Sequence, residues 1–220
     1  MFRKAVINRI EVASLNGLVK RFWLTTADRE PLVFFAGQWL DVVCPGVDRV
    51  GGFSLVSAPS ISSGEFQLAV KRSPHAAAAW MTETAAVGDH VDVSVGGSVF
   101  FEPEADQGQH LHLLAGGVGV NPLWSIAQAA VRSRRVSLFY SCKADEELFR
   151  DDIEELEKSN GDSFQITRFI DRRIGIADLA DVRRGDVFFI CGPSGFADAM
   201  QEHLAGMGVT PDKMRCERWW

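Results

Sequence analysis

One turn constrains this chain more than any other feature. A short apolar run over 111–115 leads directly into Gly116-Gly117-Val118-Gly119-Val120-Asn121-Pro122. Few folds need an apolar strand, a glycine-rich turn and a helix start in immediate succession. Glycine lets the backbone turn sharply and lets a bulky anion come close to the chain. A helix opening behind the turn offers free N–H groups and a positive dipole end. Asn121 suits the cap of that helix and Pro122 its first residue. The spacing is G-x-G-x-x-P. On its own it fits a phosphate cradle, and equally a tight strand-to-helix junction without a ligand.

The surroundings of the turn alternate strand and helix. Residues 135–141, 163–169, 186–191 and 213–217 read as strands, and 146–158, 176–181 and 194–207 as helices, with another helix running on from Pro122. Such alternation implies right-handed crossovers and a parallel sheet. Cys191-Gly192-Pro193 ends one of these strands. Ligands of open α/β sheets bind beyond the carboxyl ends of the strands, so both glycine turns are expected on one rim. The acidic run 145–157 reads as the solvated face of a helix.

The first half has a different rhythm. Residues 4–13, 18–26, 38–44, 53–57, 65–71, 91–95 and 99–101 form short strand-like runs separated by Gly, Pro, Ser and Asn turns. They predict a small antiparallel barrel or sandwich. One Ala-rich stretch, 74–84, reads as a short helix. The polar, turn-rich segment 103–109 divides the halves, giving domains over 1–104 and 105–220. Within the first domain, Phe53-Ser54 offers an aromatic face and a hydroxyl to a planar ring, or simply core packing. His75 opens the Ala-rich helix and can face a phosphate. At the other end of the chain Trp219 and Trp220 offer stacking surfaces, or a clamp between the domains.

Charge and cysteine usage narrow the function. Twenty-three basic residues against twenty-nine acidic ones leave a net charge of −6. Non-specific nucleic-acid binding, which needs a positive excess, is not expected. The four cysteines are Cys44, Cys142, Cys191 and Cys216, with no C-x-x-C pair and no cluster spacing. A plant-type iron–sulfur cluster or cysteine-only zinc site is therefore not expected, and reduced thiols in a cytoplasmic setting are, the mitochondrial matrix being the alternative. His110 and His112 share one strand face, but no third ligand stands near them in sequence, so no metal site is expected. No apolar run reaches the roughly 18 residues of a membrane span. The opening residues read as a first strand, without the apolar stretch of a signal peptide.

Taken together and in order, VGGFSLVSAP, LAVKRSPHAAAAW, LLAGGVGVNPLWSI, LFYSCKADEELF, FFICGPSGFADAM and CERWW resemble the ferredoxin–NADP reductase superfamily. Within it they look most like the branch called oxidoreductase NAD-binding domain-containing protein 1. The resemblance covers essentially the whole chain. It implies a flavin-type antiparallel β-barrel over 1–104, followed by a parallel-sheet, NAD(P)-binding α/β domain over 105–220. It implies a flavin-dependent oxidoreductase, in which NAD(P)H gives a hydride to bound FAD and electrons pass to an acceptor that the residues do not identify, a protein among the candidates. FAD is expected over FMN. NAD(H) is expected over NADP(H), because Asp145, Glu146 and Glu147 stand with Lys143 where a 2′-phosphate would lie.

The family's residue roles carry over by motif. Phe53 and Ser54 match R-x-Y-[ST], with Leu55 next to them; the aromatic lies on the flavin and the hydroxyl reaches its N5 edge. Gly116, Gly117 and Gly119, with Val120, Asn121 and Pro122, match the pyrophosphate turn. Cys191, Gly192 and Pro193 match the segment beside the nicotinamide, and Lys71 a basic position near the phosphates. Glu217, Trp219 and Trp220 match the C-terminal segment at the redox centre. Ser54, Cys191 and Glu217 are thus the expected catalytic residues. There are departures. The motif's arginine is Gly51, leaving Arg49 as the nearest substitute. Its tyrosine is Phe53. The second flavin motif appears as the hydroxyl-free run from Ala76 to Ala79. These departures motivate an alternative: a non-catalytic nucleotide-binding or electron-transfer partner module without tightly held flavin.

Overall fold

Alternating apolar residues drive the N-terminal half into strands. The computed structural model describes residues 1–59, 64–105 and 110–219, Trp219 in its backbone only. In it, β1 (Arg3–Val12) buries Ala5 and Ile7 and turns Lys4 and Asn8 outward. It is joined by β2 (Val19–Thr26), β3 (Trp39–Val43), β4 (Gly51–Ser54), β5 (Glu65–Lys71) and β6 (His90–Gly96) in the order β4-β3-β6-β1-β2-β5. All these pairings are antiparallel. Leu55 then bridges to Leu68, and the Val56 N–H donates to the Gln67 carbonyl at 2.8 Å, so the two edge strands meet and the sheet closes on itself. Closure removes the open edges. It encloses a core around Phe22, Leu24, Leu40, Phe66 and Leu68. The Ala-rich stretch forms helix α1 (Ala76–Ala79), which widens into a π turn over Trp80–Thr84 and plugs this core with Ala77 and Met81.

Two local expectations are corrected. Residues 99–101 form no strand: the Phe101 N–H reaches the Ala36 carbonyl at 2.9 Å, while its ring is buried between the two halves. The strand expected over 53–57 is shifted to Gly51–Ser54, because from Leu55 the chain crosses to β5. Residues 106–109 of the expected domain boundary lie outside the described residues.

The second half is a parallel sheet. Its elements are β7 (Leu111–Gly116), α2 (Val120–Ala130), β8 (Val136–Cys142), α3 (Arg150–Asn160), β9 (Phe164–Ile170), β10 (Val187–Pro193), α4 (Ser194–Gly206) and β11 (Met214–Trp219). The order is β11-β10-β7-β8-β9, so the winding direction reverses between β7 and β10. β7 is buried at every residue, as expected of a strand covered on both faces. The helix expected from residue 146 starts only at Arg150, because Phe149 takes a left-handed conformation (φ 58°) after a 3₁₀ turn over Ala144–Glu146. The acidic run is therefore not simply a solvated face. Glu147 is buried between Arg150 and Arg168, and Glu146 pairs with Lys71 of the barrel.

Helix α2 joins the halves. Three of its polar side chains donate to barrel carbonyls: Asn121 to Ala69 at 2.7 Å, Ser125 to Ser57 at 2.7 Å and Gln128 to Val56 at 2.9 Å. Each such bond is worth about 1 kcal/mol net. Val19, Ala69 and Phe101 pack into the same core as Trp124 and Ala127, so apolar burial crosses the junction too. The Arg21–Asp152 ion pair at 2.6 Å adds less than about 1 kcal/mol, since it is partly exposed. Asn121 thus ties the domains together instead of capping the helix, which starts two residues earlier than Pro122. Among the described residues no helix is long and apolar enough to cross a membrane.

Candidate functional site

The reversal between β7 and β10 opens a crevice at the carboxyl ends of those strands, the usual ligand position in an open α/β sheet. Cys191 pairs in register with Ala115, so the two glycine turns lie side by side. The barrel faces them. The result is a cleft of about 1150 Å³ with one wall from each half. That exceeds the roughly 300–1,000 Å³ of ordinary small-molecule pockets.

The α/β wall presents backbone at its two glycine turns, with the side chains of Asn121, Lys143, Glu146, Arg173 and Phe196 around them. Gly117 has φ +55° and nothing within 4 Å of where a Cβ would stand, so it presents bare chain to the cleft. Gly119 is packed tightly: a Cβ there would fall 2.2 Å from the Cys191 carbonyl oxygen. Gly116 and Gly192 are both covered by the Phe196 ring, which a Cβ would meet at 2.9 and 2.7 Å respectively. Gly192 and Pro193 line the cleft, as does Asn121, whose buried Oδ1 has no partner. Val120 and Cys191 instead point into the core, and Pro122 is buried within α2.

The barrel wall is made of side chains. Half-buried Phe53 and buried Ser54 line the cleft, and the Ser54 hydroxyl forms no hydrogen bond among the described residues. The Phe53 ring lies over Gly51, where a Cβ would meet it at 2.6 Å and Ala77 at 2.7 Å. Lys71 and His75 also line the cleft. The Lys71 ammonium bonds Glu146 across it at 2.5 Å, with Lys143 at 3.5 Å from the same carboxylate. Burial alone would raise the Glu146 carboxyl, but the Lys71 and Lys143 interactions outweigh it and hold the group below its ordinary value. Three expected residues lie off this wall. Leu55 is fully buried in the barrel core, and Arg49 and Ala76 are exposed outside the cleft lining.

Glu217 pairs in register with Cys191 on the edge strand β11. Its two carboxylate oxygens are buried with no partner among the described residues, and burial pushes its pKa up to about 7; neither it nor Cys191 lines the cleft. A carboxyl in that state can hold or release a proton near neutrality. The Trp219 backbone pairs with Pro193, but its side chain and Trp220 lie outside the described residues.

Some residues were not singled out from the sequence. Asp171, Arg172 and Arg173, just beyond β9, also line the cleft. The rule that ligands gather at carboxyl ends of parallel strands would have found them, had it been applied to the third strand. A second omission is at the opposite rim. His110 and His112 do acquire a third neighbour, Asp186, which stands just before β10. Nothing in local spacing could reveal a partner 74 residues away from His112.

Comparison with known proteins agrees with this architecture. Residues 113–202 match the family model of the oxidoreductase NAD-binding domain. The protein called oxidoreductase NAD-binding domain-containing protein 1 from Pongo abelii is 33% identical, the alignment covering 100% of this chain and 82% of the relative. The protein of that name from Xenopus laevis is 34% identical, with 100% and 81% covered. Among solved structures, the flavohem-like FAD/NAD binding domain of nitric oxide dioxygenase from Vibrio cholerae O1 biovar El Tor superposes with a TM-score of 0.84 at 22% identity, covering 99% of this chain and 98% of that one. A cytochrome P450 reductase from Amycolatopsis gives 0.86 at 24% identity, covering 99% and 69%.

Proposed function

The chain belongs to the oxidoreductase NAD-binding domain-containing protein 1 family, within the ferredoxin reductase-like proteins, and from that premise we propose that it is an NAD(P)H-dependent flavin oxidoreductase. A shared fold does not by itself fix an activity, so the reading rests on the cleft. The observation that carries it is the pairing of two unlike walls on one cavity. Bare Gly117 backbone faces Phe53 and the unpaired Ser54 hydroxyl.

The residues present suit both cofactors. A pyridine nucleotide's pyrophosphate would be held by the Gly116–Gly119 turn, whose N–H groups and helix end favour an anion. Its nicotinamide would lie by Gly192 and Pro193. Flavin, FAD in preference to FMN, would stack on Phe53 and accept a hydrogen bond from Ser54, with Lys71 and His75 toward its phosphates. When bound, these cofactors supply hydride and electron transfer, which the protein orients and shields. Glu217 stands beside Cys191 outside the cleft lining, where burial disfavours its charged form. Glu146 and Asp171 line the cleft with Lys71, Lys143, Arg172 and Arg173, so the preference for NAD(H) over NADP(H) rests on those two carboxylates. The acceptor is a further molecule, a protein among the candidates.

The test is the visible spectrum of the purified protein, read before and after NADH. Flavin absorbance that bleaches on NADH, with turnover toward an artificial acceptor, is the expected result. Colourless protein that cannot be reconstituted with FAD or FMN and reduces nothing would sink the enzyme. One observation favours a second reading, a nucleotide-binding or electron-transfer module without tightly held flavin: Arg49 is exposed outside the cleft lining, and Lys71 and Arg72 are already paired with Glu146 and Glu83. It predicts thermal stabilisation by NADH in the absence of any flavin signal.

A further inference from the structure

The amino-terminal rim of the parallel sheet, opposite the cofactor cleft, carries a second cluster of chemistry-bearing side chains. We propose that His110, His112 and Asp186 form a three-ligand site for a divalent transition-metal ion of the zinc class, open on one side to a cavity of about 920 Å³.

His110 directly precedes β7 and His112 lies on it, so strand alternation brings both rings to one face. Their centroids are 4.1 Å apart. Asp186 directly precedes β10, the strand paired with β7, and its Oδ2 lies 2.8 Å from His112 Nε2. One ligand atom from each of the three residues lies within 4.8 Å of the others. Zinc bonds of about 2.0–2.2 Å would need them roughly 3.5 Å apart, so small rotations of the side chains suffice. Two imidazoles and one carboxylate are a donor set suited to zinc-class ions, and the cavity leaves a coordination position for water.

Three further observations point to a ligand, and not to packing alone. His112 is buried and stacked on Phe188 at 5.0 Å, which fixes its ring with Nε2 toward Asp186. His110 is held at one nitrogen by the Ser137 hydroxyl at 2.9 Å and makes no other hydrogen bond among the described residues. Asp186 is fixed by the Arg183 N–H at 3.1 Å. Those are the orienting contacts that imidazole and carboxylate ligands commonly have. Arg134, Arg135, Arg172 and Arg183 also line the cavity; Arg134 donates to the Ser133 and Pro103 carbonyls, Arg172 is paired with Asp178 at 2.9 Å, and Arg135 and Arg183 are exposed to solvent, where their charge is screened.

The test uses the full chain purified without a metal-affinity tag and stripped with a chelator. Calorimetric titration with ZnCl2 should give one ion per chain, and zinc should raise the melting temperature. His110→Ala, at a half-buried position, should keep its apo melting temperature and lose at least about tenfold in zinc affinity. Cys216→Ser should leave zinc binding intact. Should His110→Ala fail to fold, Co2+ added to the wild type decides: absorption bands of a nitrogen- and oxygen-ligated ion support the site, and thiolate charge-transfer bands overturn it. Zinc affinity equal in wild type and His110→Ala, or affinity lost in Cys216→Ser, also overturns it. None of these readouts depends on flavin or turnover, so the cleft and the metal site stand or fall separately.

Discussion

The two walls of the cleft follow different rules. At the glycine turns of the α/β wall the backbone is packed at van der Waals limits, with Gly119 against the Cys191 carbonyl and Gly116 and Gly192 under the Phe196 ring. The barrel wall is side chains on a closed sheet, with Gly51 and Phe53 at the positions where the resemblance implies an arginine and a tyrosine. At Gly116, Gly119 and Gly192 any other residue adds atoms where there is no room, and at Gly117 the positive φ disfavours a side chain. A side-chain wall can exchange one contact for another. The Phe53 ring and the Ala77 methyl cover Gly51.

Four substitutions test this contrast. The largest effect is expected from Gly119→Ala. Its new methyl meets backbone, so the end of β10 must move, at about 3 kcal/mol or more. Chemical denaturation should register the loss, and NADH titration should lose its signal. Equal stability would mean that the backbone wall is looser than its contacts imply.

Next is the pH dependence set by Glu217. Its pKa is raised from 4.5 to about 7 in the folded protein. Below 4.5 the carboxyl is protonated in both states and carries no penalty. As pH climbs from 4.5 to 7 the folded state binds more protons than the unfolded one, so stability falls, and above 7 the loss is complete at about 3 kcal/mol. Glu217→Gln should remove most of that slope between pH 5 and 8. A variant with the wild-type slope would show that the carboxyl is not desolvated.

Gly51→Ala comes third, at about 1–2 kcal/mol, because the methyl meets a movable ring and one Ala77 methyl instead of backbone. The displaced Phe53 ring should also lower flavin retention while NADH binding persists. If both ligands weaken equally, the walls are not independent. The smallest change is Glu146→Gln, with stability nearly unaltered. The ratio of NADPH to NADH efficiency should rise roughly fivefold, as expected for about 1 kcal/mol of lost repulsion at a solvated site. An unchanged ratio would remove Glu146 from nucleotide choice.

Much of this was legible in the residues. The α/β half could be read from strand–turn–helix alternation, and its glycine turn from the steric demand of one short motif. The barrel could be read as short strands between turns. Other features were hidden because they depend on partners distant in the chain. Asn121 looked like a helix cap until Ala69 was seen to accept its amide hydrogen. Glu146 looked like part of a solvated face until Lys71 was seen across the cleft. Leu55 sits beside two cleft residues in sequence, yet there the chain leaves β4 for β5 and the side chain enters the barrel core.

The sequence by itself determined the two-part plan, a short-stranded half before a strand–helix half, and the position of the glycine turn, because periodicity and glycine sterics act over a few residues. Only the tertiary structure decided which residues share a cavity. It brought Asp171 and Arg173 beside the glycine turn, left Arg49 outside the cleft lining, and delivered Asp186 to two histidines from another strand. The physical reason is the parallel sheet. Its neighbours in space are separated in sequence by whole crossovers, so a site at either rim is assembled from segments that no local pattern connects.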